Sequence, residues 1–173
     1  SGVKICEIET SNGIEKLAVI NLMGQYGMPT VENPFNWAKK LVTNLQEQNI
    51  KNIFLDFHAE VTSEKRIMLM MFKNQISAIC GTHTHVGTDD LQIFENTAYL
   101  TDIGLTGCRD NVIGMDSKIP IQKVTTGIGG HFEVPNSCKS ILQMLVVDID
   151  DGKASSAFKI KKYCNNSKLF ITE

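Results

Sequence analysis

The chain is poor in ready-made frameworks. Its five cysteines, Cys6, Cys80, Cys108, Cys138 and Cys164, are scattered, odd in number and without a C-x-x-C pair. That pattern points to neither a disulfide framework nor a zinc ribbon, and a reducing, cytoplasmic setting is the simpler expectation. Cys80 follows Ala78 and Ile79 and reads as a small core residue. Positive charge is also scarce: the net charge is −2 and the pI is near 6.1. This argues against a broad basic face for nucleic acid. It leaves a small phosphate-bearing substrate open, which needs only a local positive charge or a metal. No long apolar run is present. The longest, Ile67 to Phe72, is far too short to cross a bilayer. The opening stretch "SGVKICEIET" has no initiator methionine and no signal-peptide pattern. Phosphate-binding fingerprints are absent, so the glycines of "TDIGLTG" and "TTGIGG" read as loops. No G-x-S-x-G elbow supports a serine hydrolase.

With 173 residues, 42% of them hydrophobic, the chain can build one domain with a real core. "VKICEIETSNGIEKLAVINLMG" reads as two strands turned at Asn12-Gly13, residues that tolerate positive φ. "QYGMPTVENP" is a loop, and "NLMGQYGMPTVENP" is a candidate lid. Phe35, Ala38, Leu41, Val42 and Leu45 have helical spacing, with Asn33 as N-cap and Pro34 in the first position. Ile53 to Leu55 reads as a buried strand ending at Asp56-Phe57-His58. "TSEKRIMLMMFKNQ" is the next helix, capped by Thr62 or Ser63. "ISAICGTHTHVG" and "TAYLTDIGLTG" are strands running into loops. A terminal hairpin turns at Asp151-Gly152. This order predicts an α/β fold, a layered sandwich with mixed sheets flanked by helices, as a single domain over residues 1–173.

The chain has four histidines, and two sit together in "GTHTHV". His58, His83 and His85 all follow buried strands, where ligands collect in α/β folds. In an extended chain His83 and His85 share a face, with Thr82 and Thr84 turned away. Two imidazoles so placed suit a metal. Asp56 could orient an imidazole from behind. Glu60, Glu64, Asp89, Asp90 and Asp102 are the nearby acids, Asp89 and Asp90 being read as solvated. His131, in "GGHFEV", lies apart before an expected strand and reads as structural. A single strand-end histidine is more often a hydrogen-bonding structural residue than a ligand.

Four blocks, "DFHAEVTSEK", "GTHTHV", "AYLTDIGLTG" and "VIGMD", together resemble the bacterial YmdB-type metallophosphoesterases of the calcineurin-like phosphoesterase superfamily. The resemblance runs from about Val3 to Ile160. It implies a layered metallophosphoesterase fold and two divalent or trivalent metal ions, iron or manganese foremost and zinc also suited. It implies hydrolysis of phosphodiesters, with 2',3'-cyclic nucleotides as the substrate class, by a hydroxide that both ions activate. By motif, His58 and His83 would ligate one ion and His85 the other, while no catalytic side chain is assigned. The family also carries an upstream aspartate, a Glu-Asn block and a Gly-Asn-His block, none of which occurs here. The chain is therefore expected to be the C-terminal portion of the family domain, lacking the N-terminal third.

Three readings stand in order. The first is a dinuclear phosphodiesterase with a small phosphodiester substrate, no membrane partner, and a homo-oligomer among its open assemblies. The second is a non-catalytic metal-binding or regulatory module with half a site. The third is a mononuclear zinc hydrolase, which requires His58, His83 and His85 to converge on one ion.

Overall fold

The structure is a computed structural model, and it describes residues 2–11, 13–164 and 168–173. A hairpin opens the fold. Strands β1 (Val3–Thr10) and β2 (Gly13–Met23) pair antiparallel, Thr10 opposite Gly13. Gly13 has a φ of 111°, as the expected turn requires, while Asn12 lies outside the described residues. Helix α1 (Pro34–Glu47) starts as predicted: the Asn33 side chain accepts from the Asn36 N–H at 3.0 Å, with Pro34 in the first turn.

Three more strands extend the sheet in parallel: β3 (Asn52–His58), β4 (Ala78–Thr82) and β6 (Thr97–Leu100). Helix α2 (Thr62–Phe72) lies between β3 and β4 in sequence. The short β5 (Gln92–Phe94) closes the far edge antiparallel, giving the order β1-β2-β3-β4-β6-β5. A second sheet, antiparallel, has the order β10-β9-β8-β7, from β7 (Gly107–Cys108), β8 (Ser140–Asp150), β9 (Lys153–Tyr163) and β10 (Leu169–Thr172). Helix α3 (Lys118–Thr126) lies between β7 and β8 in sequence.

Period-two alternation decides the layers. In β3, Ile53, Leu55 and Phe57 join Ala18, Ile20, Ile79 and Tyr99 in the main core. That core packs against Ala38, Leu41, Val42 and Leu45 of α1 and Met68, Leu69 and Phe72 of α2. The other face meets the second sheet, where Ala78 and Ala98 pack with Ala154, Phe54, Val147 and Ala157. The fold is the expected α/β sandwich, with one mixed sheet and one antiparallel sheet. Helices cover one face of the large sheet, and the second sheet covers the other.

Two local expectations are corrected. Neither Thr62 nor Ser63 caps α2: Val61 is the N-cap and no side chain bonds there. Glu64, in the first turn of α2, is 1% exposed and accepts from the Gln25 and Tyr26 N–H groups at 2.9 and 3.3 Å, tying down the candidate lid. The cysteine reading also fails. Cys108 and Cys138 form a disulfide, brought together where the Arg109 N–H donates to the Lys139 carbonyl at 2.9 Å. Thirty residues separate them, so only the tertiary fold juxtaposes them. Cys80 is buried as expected, and burial foremost pushes its thiol up to about 12, which leaves it an inert thiol. No helix among the described residues is long and apolar enough to cross a membrane.

Candidate active site

The site grows from the C-terminal ends of β3 and β4. Alternation places Asp56 and His58 on the face of β3 away from the helices. The parallel register sets Thr82 opposite His58. The Thr82 hydroxyl donates to Asp56 Oδ1 at 2.7 Å, so its lone pair faces His58 Nδ1 at 3.1 Å. Asp56 Oδ2 accepts from the Asn21 side-chain amide at 2.7 Å. His58 therefore carries its proton on Nδ1, and Nε2 keeps a free lone pair.

Thr82 is thus part of the site, not turned away from it. The reason lies in the backbone. Strand β4 stops at Thr82, and His83 and His85 have φ values of 107° and 62°. They are left-handed loop residues, so the extended-chain argument for a shared face does not apply to them. The two side chains part. His83 Nδ1 lies 3.1 Å from His58 Nε2, with the rings edge to face. His83 Nε2 donates to Glu60 Oε2 at 3.1 Å. His85 Nδ1 donates to the Ile113 carbonyl at 2.6 Å, leaving its Nε2 free.

Each histidine therefore has one ring nitrogen on an oxygen acceptor and the other available. That is how imidazoles are oriented as metal ligands. His58 Nε2 and His83 Nδ1 face each other at 3.1 Å. Such spacing suits two adjacent ligands about 2.0–2.1 Å from one ion. One positive charge satisfies both nitrogens: a proton on the His83 side, or an ion taking both lone pairs. Burial foremost, and then the neighbouring His83, lowers the pKa of His58, with Asp56 pulling the other way. The neutral, ligating form is favoured.

The strained loop is held from below. Asp102 and Lys65 are 0% and 1% exposed and pair at 2.8 Å. Asp102 Oδ2 also accepts from the Thr84 N–H, between the two histidines, at 3.1 Å, and Oδ1 from the Gly104 N–H at 2.9 Å. Any Cβ at Gly81 would collide with the Thr101 carbonyl and the Lys65 side chain. A glycine is required there for β4, β6 and α2 to close on this ion pair.

Asp90 is not solvated as expected. It accepts from the Thr101 and Thr88 hydroxyls at 2.5 and 2.6 Å. Desolvation pushes its carboxyl up, but these bonds outweigh it and hold the pKa below the ordinary 3.8. Asp89 is exposed as read. His131 is exposed in a loop, and the next strand, β8, begins only at Ser140. The three histidines do not converge: among the described residues no three His, Cys, Asp or Glu side chains are grouped to hold one ion. This removes the basis of the mononuclear zinc reading.

The sequence model of the YmdB-like protein family matches residues 1–162. The chain belongs to this family. A 2',3'-cyclic-nucleotide 2'-phosphodiesterase of Bacillus subtilis (strain 168) is 41% identical over 163 residues, 93% of this chain and 60% of that protein. Among solved structures, a novel phosphatase from Mycoplasma pneumoniae is 31% identical with a TM-score of 0.82, covering 94% of this chain and 57% of that one. A hypothetical protein from Thermus thermophilus is 26% identical, also at 0.82, with coverages of 92% and 61%. The chain thus spans 60% of the length of the Bacillus relative. The mixed α/β fold read from sequence is the fold of this family.

Proposed function

We propose that this chain is the C-terminal part of a metallophosphoesterase domain, residues 1–173 forming one unit, in a protein that hydrolyses 2',3'-cyclic nucleotides. The observation that carries the reading is the facing pair, His58 Nε2 and His83 Nδ1 at 3.1 Å. Similarity to the Bacillus phosphodiesterase supports the substrate class. His58 and His83 would hold one ion, and His85 would serve a second. Nitrogen ligands of this kind suit iron, manganese and zinc alike. When bound, the ions supply Lewis acidity toward the phosphoryl oxygens and a nucleophile from water at neutral pH.

The chain's own residues do the positioning. Asp56, through Thr82, fixes the His58 ring, and Glu60 fixes His83. Glu60 is also placed to hold a proton at His83 Nε2. The Asp102 carboxylate anchors the backbone between His83 and His85. The partner is a small phosphodiester, and a homo-oligomer is compatible with the reading. The second reading, a non-catalytic half-site module, is favoured by the lack of a third grouped ligand among the described residues.

Metal analysis and hydrolysis of a 2',3'-cyclic nucleotide by the full gene product decide between them. Two ions per chain with turnover support the enzyme. No turnover with iron, manganese or zinc sinks it. In the active protein, His83→Ala should abolish hydrolysis with the thermal melt retained, and the exposed His131→Ala should leave it nearly unchanged. An unaltered rate in His83→Ala would overturn the ligand assignment.

A further inference from the structure

A hollow of about 310 Å³ adjoins His85, lined among others by Arg109, Asn111, Ile113, Gln143 and Lys161. Its floor is preformed. The Gln143 amide fills the space left open by Gly87 and Gly104, and its Oε1 accepts from the Leu105 N–H at 2.9 Å. Gln143 and Lys161 are register partners on β8 and β9, which sets Lys161 beside that floor.

Arg109 is fixed on several sides. Its N–H bonds the Lys139 carbonyl, and its neighbour Cys108 is joined to Cys138. The guanidinium lies over the Tyr163 ring, 4.4 Å from the centroid. Stacking sets the plane of the fork and consumes none of its N–H donors. Among the described residues neither Arg109 nor Lys161 is in an ion pair. The nearest carboxylate in sequence, Asp110, accepts from the Lys139 N–H with both oxygens at 3.1 Å.

Two unneutralised cations, one a pre-oriented fork, therefore line a preformed hollow of small-ligand size beside a candidate metal ligand. That chemistry matches a phosphoryl group. We infer that the hollow is a subsite for a second phosphoryl group, so that the preferred substrate is a nucleoside 2',3'-cyclic phosphate that also carries phosphate on its 5' oxygen. The inference rests on the phosphodiesterase reading, because His85 is what joins the hollow to the metal site. It fits the low overall charge, since the cations are local.

The test is equilibrium binding of adenosine 3',5'-bisphosphate and adenosine 3'-monophosphate to the full-length protein. The bisphosphate should bind about tenfold tighter or more, the gain of a charge-assisted contact. That ratio should fall toward one in Arg109→Ala and drop in Lys161→Ala, with melts recorded to confirm folding. Equal affinities in the wild type, or a ratio unchanged in both variants, would overturn the subsite. Hydrolysis of adenosine 2',3'-cyclic phosphate, with and without a 5'-phosphate, separates the two claims. A binding ratio that holds with no hydrolysis of either compound leaves the subsite standing and removes the phosphodiesterase reading. Hydrolysis of both with no preference and no binding ratio does the reverse.

Discussion

Two regions of the molecule position the histidines in different ways. The parallel centre of the large sheet holds His58 and His83 through the half-buried Asp56 and Thr82 and the buried Lys65–Asp102 pair. The region from β7 to β8 reaches the site through one carbonyl, Ile113, which takes His85. Helix α3 in that region buries no residue, and Ile121, Val124 and Ile128 stand exposed. The first region is a scaffold whose packing cannot shift without strain. The second carries little core, so its substitutions should alter recognition more than stability.

Breaking the scaffold should give the largest effect. Lys65→Met leaves Asp102 buried without its cation and should cost about 3–5 kcal/mol, read from denaturant unfolding. A loss under about 1 kcal/mol would mean that water reaches the pair. Core packing comes next. Leu69→Ala on α2 should cost about 2–5 kcal/mol, whereas Val124→Ser on α3 should stay within about 0.5 kcal/mol. Similar costs at both positions would erase the contrast between the regions.

A smaller effect is expected behind His58. Thr82→Val removes the hydroxyl between Asp56 and the ring and should weaken metal binding by about 10–100-fold, measured by chelator competition. Unchanged affinity would show that the ring is held by packing alone. The smallest concerns Asp90. Its folded pKa lies below the unfolded value of 3.8, so its contribution is present above 3.8 and lost as pH falls through the folded value. Acid melts should therefore show wild type losing stability below about pH 4 more steeply than Asp90→Asn. Parallel curves would contradict the assigned hydrogen bonds.

What was legible in the sequence followed from short-range rules. Helix α1 with its Asn33 cap, the strand ends at His58 and before His83, and the terminal hairpin all come from periodicity and turn chemistry. Helix α3, β5, β7 and β10 escaped notice because three are short strands and the helix has no buried face to imprint a pattern. At the site, Thr82 was misplaced because its role depends on register with β3, not on its neighbours in the chain. Glu60 and Asp102 were visible only as nearby acids, and Lys65 not at all.

The order of residues determined which side chains could ligate, where most long elements lie, and which family the blocks resemble. Only the tertiary structure decided how they meet. Register set Thr82 against His58, left-handed backbone turned His83 and His85 apart, and packing enclosed Lys65 with Asp102. It also joined Cys108 to Cys138. The physical reason is range. Propensity and capping act over a few residues, whereas these contacts join residues that are distant in sequence or depend on the path of the backbone, and they exist only once the sheets have closed.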